Sequence, residues 1–150
     1  MAPAAAPEVE AIAAVRFVEV TPSLAVRDVW RSQAFYQRLG FSVAERLPPA
    51  GPSEWVRLQR DNVALLVWNE VLAPAGVLAA LSESRGTGSA VRISVSDVDR
   101  LAHEFRESGV PIRRGPVTMP DGFREVSLVD PDGYVLEFAS RSAARHLDRP

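Results

Sequence analysis

The chain has 150 residues, a formal net charge of −2 and no cysteine. This length predicts one domain, or two small units fused into one, and the hydrophobic content of 47% is sufficient for a core. The lack of cysteine excludes thiolate catalysis, disulfides and cysteine-bound zinc. The acidic balance argues against a nucleic-acid partner, and no apolar run approaches the roughly 20 residues of a membrane span. Because the start lacks the basic segment of a signal peptide, we expect a cytoplasmic protein with no membrane partner.

A first structural unit is predicted over residues 15–69, after a flexible Ala/Pro-rich arm at residues 1–14. In "LAVRDVWRSQAFYQRLG", Asp28 is a typical helix N-cap and Gly40 a typical helix stop. The stretch "FSVAERL" predicts a strand, and "EWVRLQRDNVALLVW" predicts two strands joined by a tight turn. Residues 70–88 are expected to form a linker with a short helix around residues 75–81.

The second half of the chain repeats this pattern over residues 89–140, before a tail at residues 141–150. "ISVSDVDRLAHEFRESGV" matches the first unit at a constant offset of 69 residues, so that Asp97 is equivalent to Asp28 and Gly109 is equivalent to Gly40. Such small units bury little alone, so we expect their sheets to pair. The predicted fold is therefore α+β, with two tandem βαβββ units that form a curved mixed-sheet cup and helices on the outside.

Two segments carry a family resemblance: "LAVRDVWRSQAFYQRLGF" and "LVDPDGYVLEF" resemble the signatures of the vicinal oxygen chelate superfamily, which includes glyoxalase I, extradiol dioxygenases and bleomycin resistance proteins. The stretches "TPSLAVRDV" and "FREVSLVDPDG" are most similar to the bleomycin resistance-type branch. Members of that branch are metal-free homodimers that sequester a drug in clefts between subunits. The resemblance thus implies βαβββ units, a homodimer and a small organic ligand.

Metal-using members of the superfamily place four ligands on the first and last strands of the two units. The resemblance puts these positions at Thr21, Leu65, Ala90 and Glu137, of which only Glu137 binds a hard cation well. The two histidines, His103 in the second predicted helix and His146 in the tail, are not expected to reach the cup. We therefore expect no bound metal and no cofactor.

Strand alternation predicts which side chains line the cup, because successive residues point to opposite faces. The predicted lining is mixed, with aromatic rings, guanidinium groups, carboxylates and hydroxyls, and suits an amphipathic organic molecule. The alternative for Glu137 is a structural ion pair with Arg92 or Arg57. The predicted ligand-binding residues are Thr21, Ser23, Trp55, Arg57, Leu65, Ala90, Arg92, Phe123, Glu125 and Glu137.

Three functions remain open at this point. The first is a metal-free binding protein that sequesters a small organic compound such as an antibiotic. The second is a superfamily enzyme, a lyase, isomerase or dioxygenase, which without a cofactor would use Glu137 or Glu125 as a base and Arg57 or Arg92 to hold an oxyanion. The third is a structural or regulatory dimer with a vestigial cup.

Overall fold

The computed structural model describes residues 15–51, 54–72, 86 and 88–142. The first unit consists of β1 (Ser23–Val26), α1 (Val29–Arg38), β2 (Ser42–Leu47), β3 (Trp55–Arg60) and β4 (Val63–Asn69), followed by a short 3-10 helix (Glu70–Leu72). The second unit consists of β5 (Ala90–Ser94), α2 (Val98–Glu107), β6 (Arg114–Thr118), β7 (Phe123–Val129) and β8 (Val135–Arg141). The predicted arm, the helix around residues 75–81 and most of the tail lie outside the described residues.

Each unit contains one four-stranded mixed sheet, in the order β1-β4-β3-β2 and β5-β8-β7-β6. The first strand of each unit runs parallel to the last, and the other pairs are antiparallel. The predicted α+β fold of two tandem βαβββ units is confirmed. No strand of one sheet is hydrogen-bonded to a strand of the other within the described residues.

The two helices begin and end at equivalent residues, as the offset of 69 predicts. The Asp28 carboxylate accepts a hydrogen bond from the Arg31 backbone N–H at 3.1 Å, and Asp97 accepts one from Arg100 at 3.0 Å. Each bond satisfies a backbone donor that the first helical turn leaves unpaired. Among the described residues, no helix is long and apolar enough to cross a membrane.

The helix-facing sides of the two sheets belong to one shared core, in which Tyr36 and Phe105 are the largest fully buried side chains. Contacts between the units lie on this side: Tyr36 Oη donates to Asp130 Oδ2 at 2.9 Å, and Arg38 Nε donates to the Ser108 carbonyl at 3.2 Å. Because each helix covers one face of its sheet, the other face points away from the core. We call this the open face of each sheet.

Candidate functional site

Cross-strand register fixes which side chains of the first sheet lie on its open face. Val56 and Leu58 of β3 are fully buried in the core, so their neighbours Trp55 and Arg57 lie on the opposite side. Directly opposite residues of neighbouring strands share a face. In β4, Trp68 is opposite Trp55 and Leu66 is opposite Arg57; in β1, Ser23 is opposite Leu66.

The prediction that Leu65 faces the cup is wrong. Leu65 is opposite Leu58 of β3 and is fully buried in the shared core, so Leu66 takes the position on the open face. The cause is the run "ALLVW", which is apolar on both faces, so that alternation alone cannot choose its register. Trp68 therefore also lies on the open face, where it is half-buried beside Trp55.

The second sheet gathers four of the predicted residues into one cluster on its open face. The Arg92 guanidinium lies 2.5 Å from Glu125 Oε1 and 3.4 Å from Glu137 Oε2. Of the two ion pairs considered as alternatives for Glu137, the structure shows the one with Arg92. Hydrogen bonding to Glu125 raises the pKa of Arg92 above its ordinary value, and the Glu137 contact adds to this. Glu125 has only 13% of its side chain exposed, so the pair is partly shielded from water.

An aromatic ring completes this cluster, which we call the Phe123 cluster (Arg92, Phe123, Glu125, Glu137 and Arg141). The Phe123 ring centroid lies 5.3 Å from the Arg92 guanidinium carbon and 5.0 Å from that of Arg141, which are cation–π distances. Arg141 has no carboxylate partner among the described residues. Sequence reasoning missed Arg141, although it has the same strand parity as Glu137 and lies opposite Phe123.

A second group of predicted residues lies around Arg57 in the first unit. Arg57 Nη2 donates to Glu19 Oε1 at 2.8 Å, and Thr21 Oγ1 donates to the same oxygen at 3.0 Å. The Thr21 hydrogen bond, followed by that of Arg57, lowers the pKa of Glu19 below its ordinary value. The segment before β1 is thus tied to the open face, and Glu19 is a further polar residue that strand alternation did not identify.

The predicted site residues therefore form two groups rather than one. We call Glu19, Thr21 and Arg57 the Arg57 group. Among the described residues, no hydrogen bond, ion pair or ring contact joins the Arg57 group to the Phe123 cluster. Ser23 and Ala90 are exposed at the edges of their sheets and make no side-chain contact with either group. The structure brings together Arg92, Phe123, Glu125 and Glu137 and, separately, Thr21 and Arg57.

The donor set does not fit a divalent metal ion. With the β4 register corrected, the four chelating positions carry Thr21, Leu66, Ala90 and Glu137, and the one strong donor is already paired with Arg92. No group of three or more His, Asp or Glu side chains that could hold a metal occurs among the described residues. His103 contacts Glu107 at 3.3 Å on the exposed side of α2, and His146 lies outside the described residues.

The family model of the glyoxalase/bleomycin resistance protein/dioxygenase superfamily matches residues 16–138. The chain therefore belongs to this superfamily, which agrees with its two βαβββ units. No curated protein matches the chain.

Three solved structures illustrate the structural similarity. A bleomycin-binding protein complexed with bleomycin has 24% identity and a TM-score of 0.63, covering 84% of this chain and 100% of its own. A glyoxalase/bleomycin resistance protein/dioxygenase from Nocardioides has 21% identity and a TM-score of 0.70, covering 94% and 95%. A bleomycin resistance determinant encoded on the transposon Tn5 has 23% identity and a TM-score of 0.61, covering 84% and 99%. At these identities the likeness establishes the fold alone.

Proposed function

We propose that this chain is a metal-free, cytoplasmic small-molecule-binding protein of the glyoxalase/bleomycin resistance type, which sequesters an amphipathic organic compound such as an antibiotic. The observation that carries the proposal is the Phe123 cluster, where an aromatic ring and ionic groups share one open sheet face. Aromatic rings can stack on planar parts of a ligand, and guanidinium groups can pair with acidic ones. Of the four chelating positions, only Glu137 carries a strong donor, and its carboxylate is paired with Arg92 at 3.4 Å.

We propose further that the ligand site is completed in a homodimer. The two open faces point away from one shared core, so a cleft that uses both faces requires a second copy of the chain. Large apolar side chains that are exposed to water support this association, because burial against a second copy would be favourable. Phe17 is 103% and Val20 91% exposed before β1, and Leu47 at the end of β2 is 52% exposed.

The enzymatic alternative requires an available base on the open face. Glu125 and Glu137 are the carboxylates in position, but both are held by Arg92 at 2.5 and 3.4 Å. One oxygen of each carboxylate is occupied by the guanidinium, so the side chain would have to leave Arg92 before that oxygen could accept a proton from a substrate. The contacts thus favour binding over proton abstraction, and the enzyme remains the second candidate.

Ligand titration monitored by tryptophan fluorescence tests the binding proposal. The three tryptophans of the chain are Trp30, Trp55 and Trp68, and Trp55 and Trp68 lie on the open face. We expect at least one compound in a panel of natural-product antibiotics, beginning with bleomycin, to change the emission saturably. The response should shrink in Trp55→Phe or Trp68→Phe. It should persist in the matched control Trp30→Phe, because Trp30 lies on α1 against Arg46.

Two further measurements separate the alternatives. Sedimentation velocity should give twice the chain mass of 16.3 kDa, and mass spectrometry of the recovered compound should show it chemically unchanged. If a compound that binds saturably is recovered as a reaction product, the site is that of an enzyme and the binding proposal is wrong. An intact dimer that responds to no compound would leave the vestigial cup as the better reading.

A further inference from the structure

A separate cavity of about 390 Å³ lies between the two units, on the helix side of the sheets. It is open on one side, and its volume falls within the range of small-molecule pockets. We call it the inter-unit cavity. One part of its wall is apolar and includes Phe41, Val63, Leu101 and Phe138. The rest of the wall is polar or charged, with Arg60, Asp61, Asn62, Ser94, Ser96, Asp97, Arg100 and Glu104. None of the residues of the Phe123 cluster lines it.

The repeat creates a second, equivalent junction between the units, where the β7–β8 turn meets β1 and α1. At this junction, side chains of the chain itself fill the space. There the β7–β8 turn packs against β1 and α1: Tyr134 Oη donates to the Ala25 carbonyl at 2.9 Å. The Asp132 carboxylate in the same turn accepts hydrogen bonds from the Arg27 backbone N–H at 3.0 Å and from Ser32 Oγ at 3.3 Å. A phenol ring and a carboxylate thus occupy this junction.

The strand registers show which residues correspond at the two junctions. Leu66 is opposite Ser23, and Glu137 is opposite Arg92, which is 69 residues after Ser23, so Leu66 and Glu137 are equivalent. Three residues before these positions, Val63 at the start of β4 is therefore equivalent to Tyr134, which directly precedes β8. By the offset of 69, Ser94 is equivalent to Ala25, whose carbonyl accepts the phenol.

The cavity exists because the first unit has smaller groups at these positions. Val63 replaces a tyrosine, so the volume of a phenol ring beside Ser94 is left unfilled. The β3–β4 turn has two residues between the paired Arg60 and Val63, one fewer than the β7–β8 turn between Asp130 and Tyr134. Among the described residues, neither Asp61 nor Asn62 of this shorter turn makes hydrogen bonds equivalent to those that the Asp132 carboxylate accepts from Arg27 and Ser32.

The polar groups of the cavity favour a neutral ligand over an acid. Leu101 stands where Ser32 donates to the Asp132 carboxylate at the other junction, so that donor is missing here. Two guanidinium groups line the cavity, and the Glu104 carboxylate contacts both, Arg60 at 3.2 Å and Arg100 at 3.8 Å. The carboxylates of Asp61 and Asp97 line it as well, so the charged groups of the wall are negative in balance. An uncompensated carboxylate would therefore be costly to place in the cavity, whereas a hydroxyl requires only one acceptor.

We propose that the inter-unit cavity is a second binding site, which takes a small neutral hydroxyaryl molecule with its ring against Phe41, Val63 and Leu101 and its hydroxyl at the Ser94 carbonyl. This site is independent of the open face and of the function proposed for it. The bound molecule would make the same kind of hydrogen bond that the Tyr134 hydroxyl makes with the Ala25 carbonyl at the other junction.

Amide chemical-shift titration with 4-methylphenol, the side chain of tyrosine as a free molecule, tests the proposal. We expect saturable shifts at Val95 and Ser96, which line the cavity, and none at Glu125 or Glu137. Toluene, which lacks the hydroxyl, should bind about 2- to 10-fold more weakly, because one neutral hydrogen bond is lost. The anion 4-methylbenzoate should bind at least about 10-fold more weakly, because its charge is not compensated.

Substitution of Val63 distinguishes the cavity from other surfaces. Val63→Tyr should fill the space as Tyr134 does and weaken 4-methylphenol binding at least about 10-fold. Val71→Tyr is the matched control, since Val71 is 69% exposed beyond the other end of β4, and it should bind as the wild type does. If Val63→Tyr does not give a dispersed spectrum, Leu101→Phe narrows the same cavity and should weaken binding in the same direction.

Three results would overturn the proposal. They are the absence of shifts at Val95 and Ser96, shifts that appear instead on the open face, and unchanged affinity in a folded cavity variant. Binding of 4-methylbenzoate as tight as that of 4-methylphenol would replace the neutral ligand class with an acidic one.

Discussion

The hydrogen bond between Tyr36 and Asp130 offers a sharp test of how the two units are held together. Tyr36 of α1 is fully buried, and its hydroxyl donates to the Asp130 carboxylate of the β7–β8 turn at 2.9 Å. Asp130 is 4% exposed and also accepts from the backbone N–H groups of Asp132 and Tyr134, at 2.9 and 2.8 Å. Tyr36→Phe removes one of three donors to a buried carboxylate with little change in shape.

The expected loss depends on the charge of Asp130. Burial raises the pKa of Asp130 above its ordinary value of 3.8, while the Tyr134 backbone N–H and the Tyr36 hydroxyl act in the opposite direction. A carboxyl whose pKa is raised on folding contributes its full stability below the unfolded pKa, and that contribution is lost as the pH rises through the folded pKa. Without Tyr36 the folded pKa rises further, so more stability is lost above it.

The size of the effect follows from the strength of charged and neutral hydrogen bonds. At a pH above the raised pKa of Asp130, where the carboxylate is ionised, Tyr36→Phe should lower the free energy of unfolding by about 1.5–3 kcal/mol. Near pH 3.5, where Asp130 is protonated, the loss should fall to about 0.5–1.5 kcal/mol, the range of a neutral hydrogen bond.

Urea unfolding of the wild type and the variant between pH 3.5 and 8 measures both values. Tyr134→Phe is the matched control, because Tyr134 Oη donates to the uncharged Ala25 carbonyl at 2.9 Å. Its destabilisation, about 0.5–1.5 kcal/mol, should not change across the same window. A loss for Tyr36→Phe that is equal at both ends of the range, or larger at low pH, would refute the assignment of a buried ionised partner.

Two further predictions concern a glycine with positive φ and the aspartate side chains that cap the two helices. Gly115→Ala should prevent folding or destabilise by more than about 3 kcal/mol, because Gly115 has a φ of +88° and an added Cβ would overlap the Glu125 carbonyl oxygen; Gly122→Ala, at a φ of +83° in open space, should cost only about 1–2 kcal/mol, and similar thermal unfolding of the two variants would contradict the clash. Removal of the helix N-caps, Asp28→Ala and Asp97→Ala, should each cost about 1 kcal/mol in urea unfolding, with equal values expected from the equivalent 3.1 and 3.0 Å contacts; a loss below about 0.3 kcal/mol at either position would show that its cap does not stabilise the helix.

Much of the fold could be predicted from the sequence because local signals repeat and agree. Asp28 and Asp97 cap helices of equal length, and Gly40 and Gly109 follow those helices with φ values of +87° and +67°. Positive φ is a conformation that glycine adopts without steric cost, so these positions are readable from sequence. Two independent copies of one pattern constrain the topology more strongly than either copy alone.

The composition of the site was predictable only in part, because strand alternation fails where both faces are apolar. It correctly placed Trp55 and Arg57 on one face of β3 and the fully buried Val56 and Leu58 on the other face. It failed for Leu65, since the choice between Leu65 and Leu66 is made by pairing with β3 and not by the composition of β4. Contacts that are distant in sequence, such as Arg57 with Glu19, have no local signal.

The arrangement of the two units explains why the predicted lining separates into two groups. The hydrogen bonds that join the units through Tyr36, Asp130 and Arg38 lie on the helix-facing sides of the sheets. Among the described residues, no hydrogen bond or ion pair joins the Arg57 side chain to the Phe123 cluster. The repeat therefore creates two pseudo-equivalent junctions in the core, and the sequence differs between them. Tyr134 fills one, and Val63 leaves the other open. The two units thus share one backbone pattern but differ in side-chain size at equivalent positions, and this difference produces the cavity.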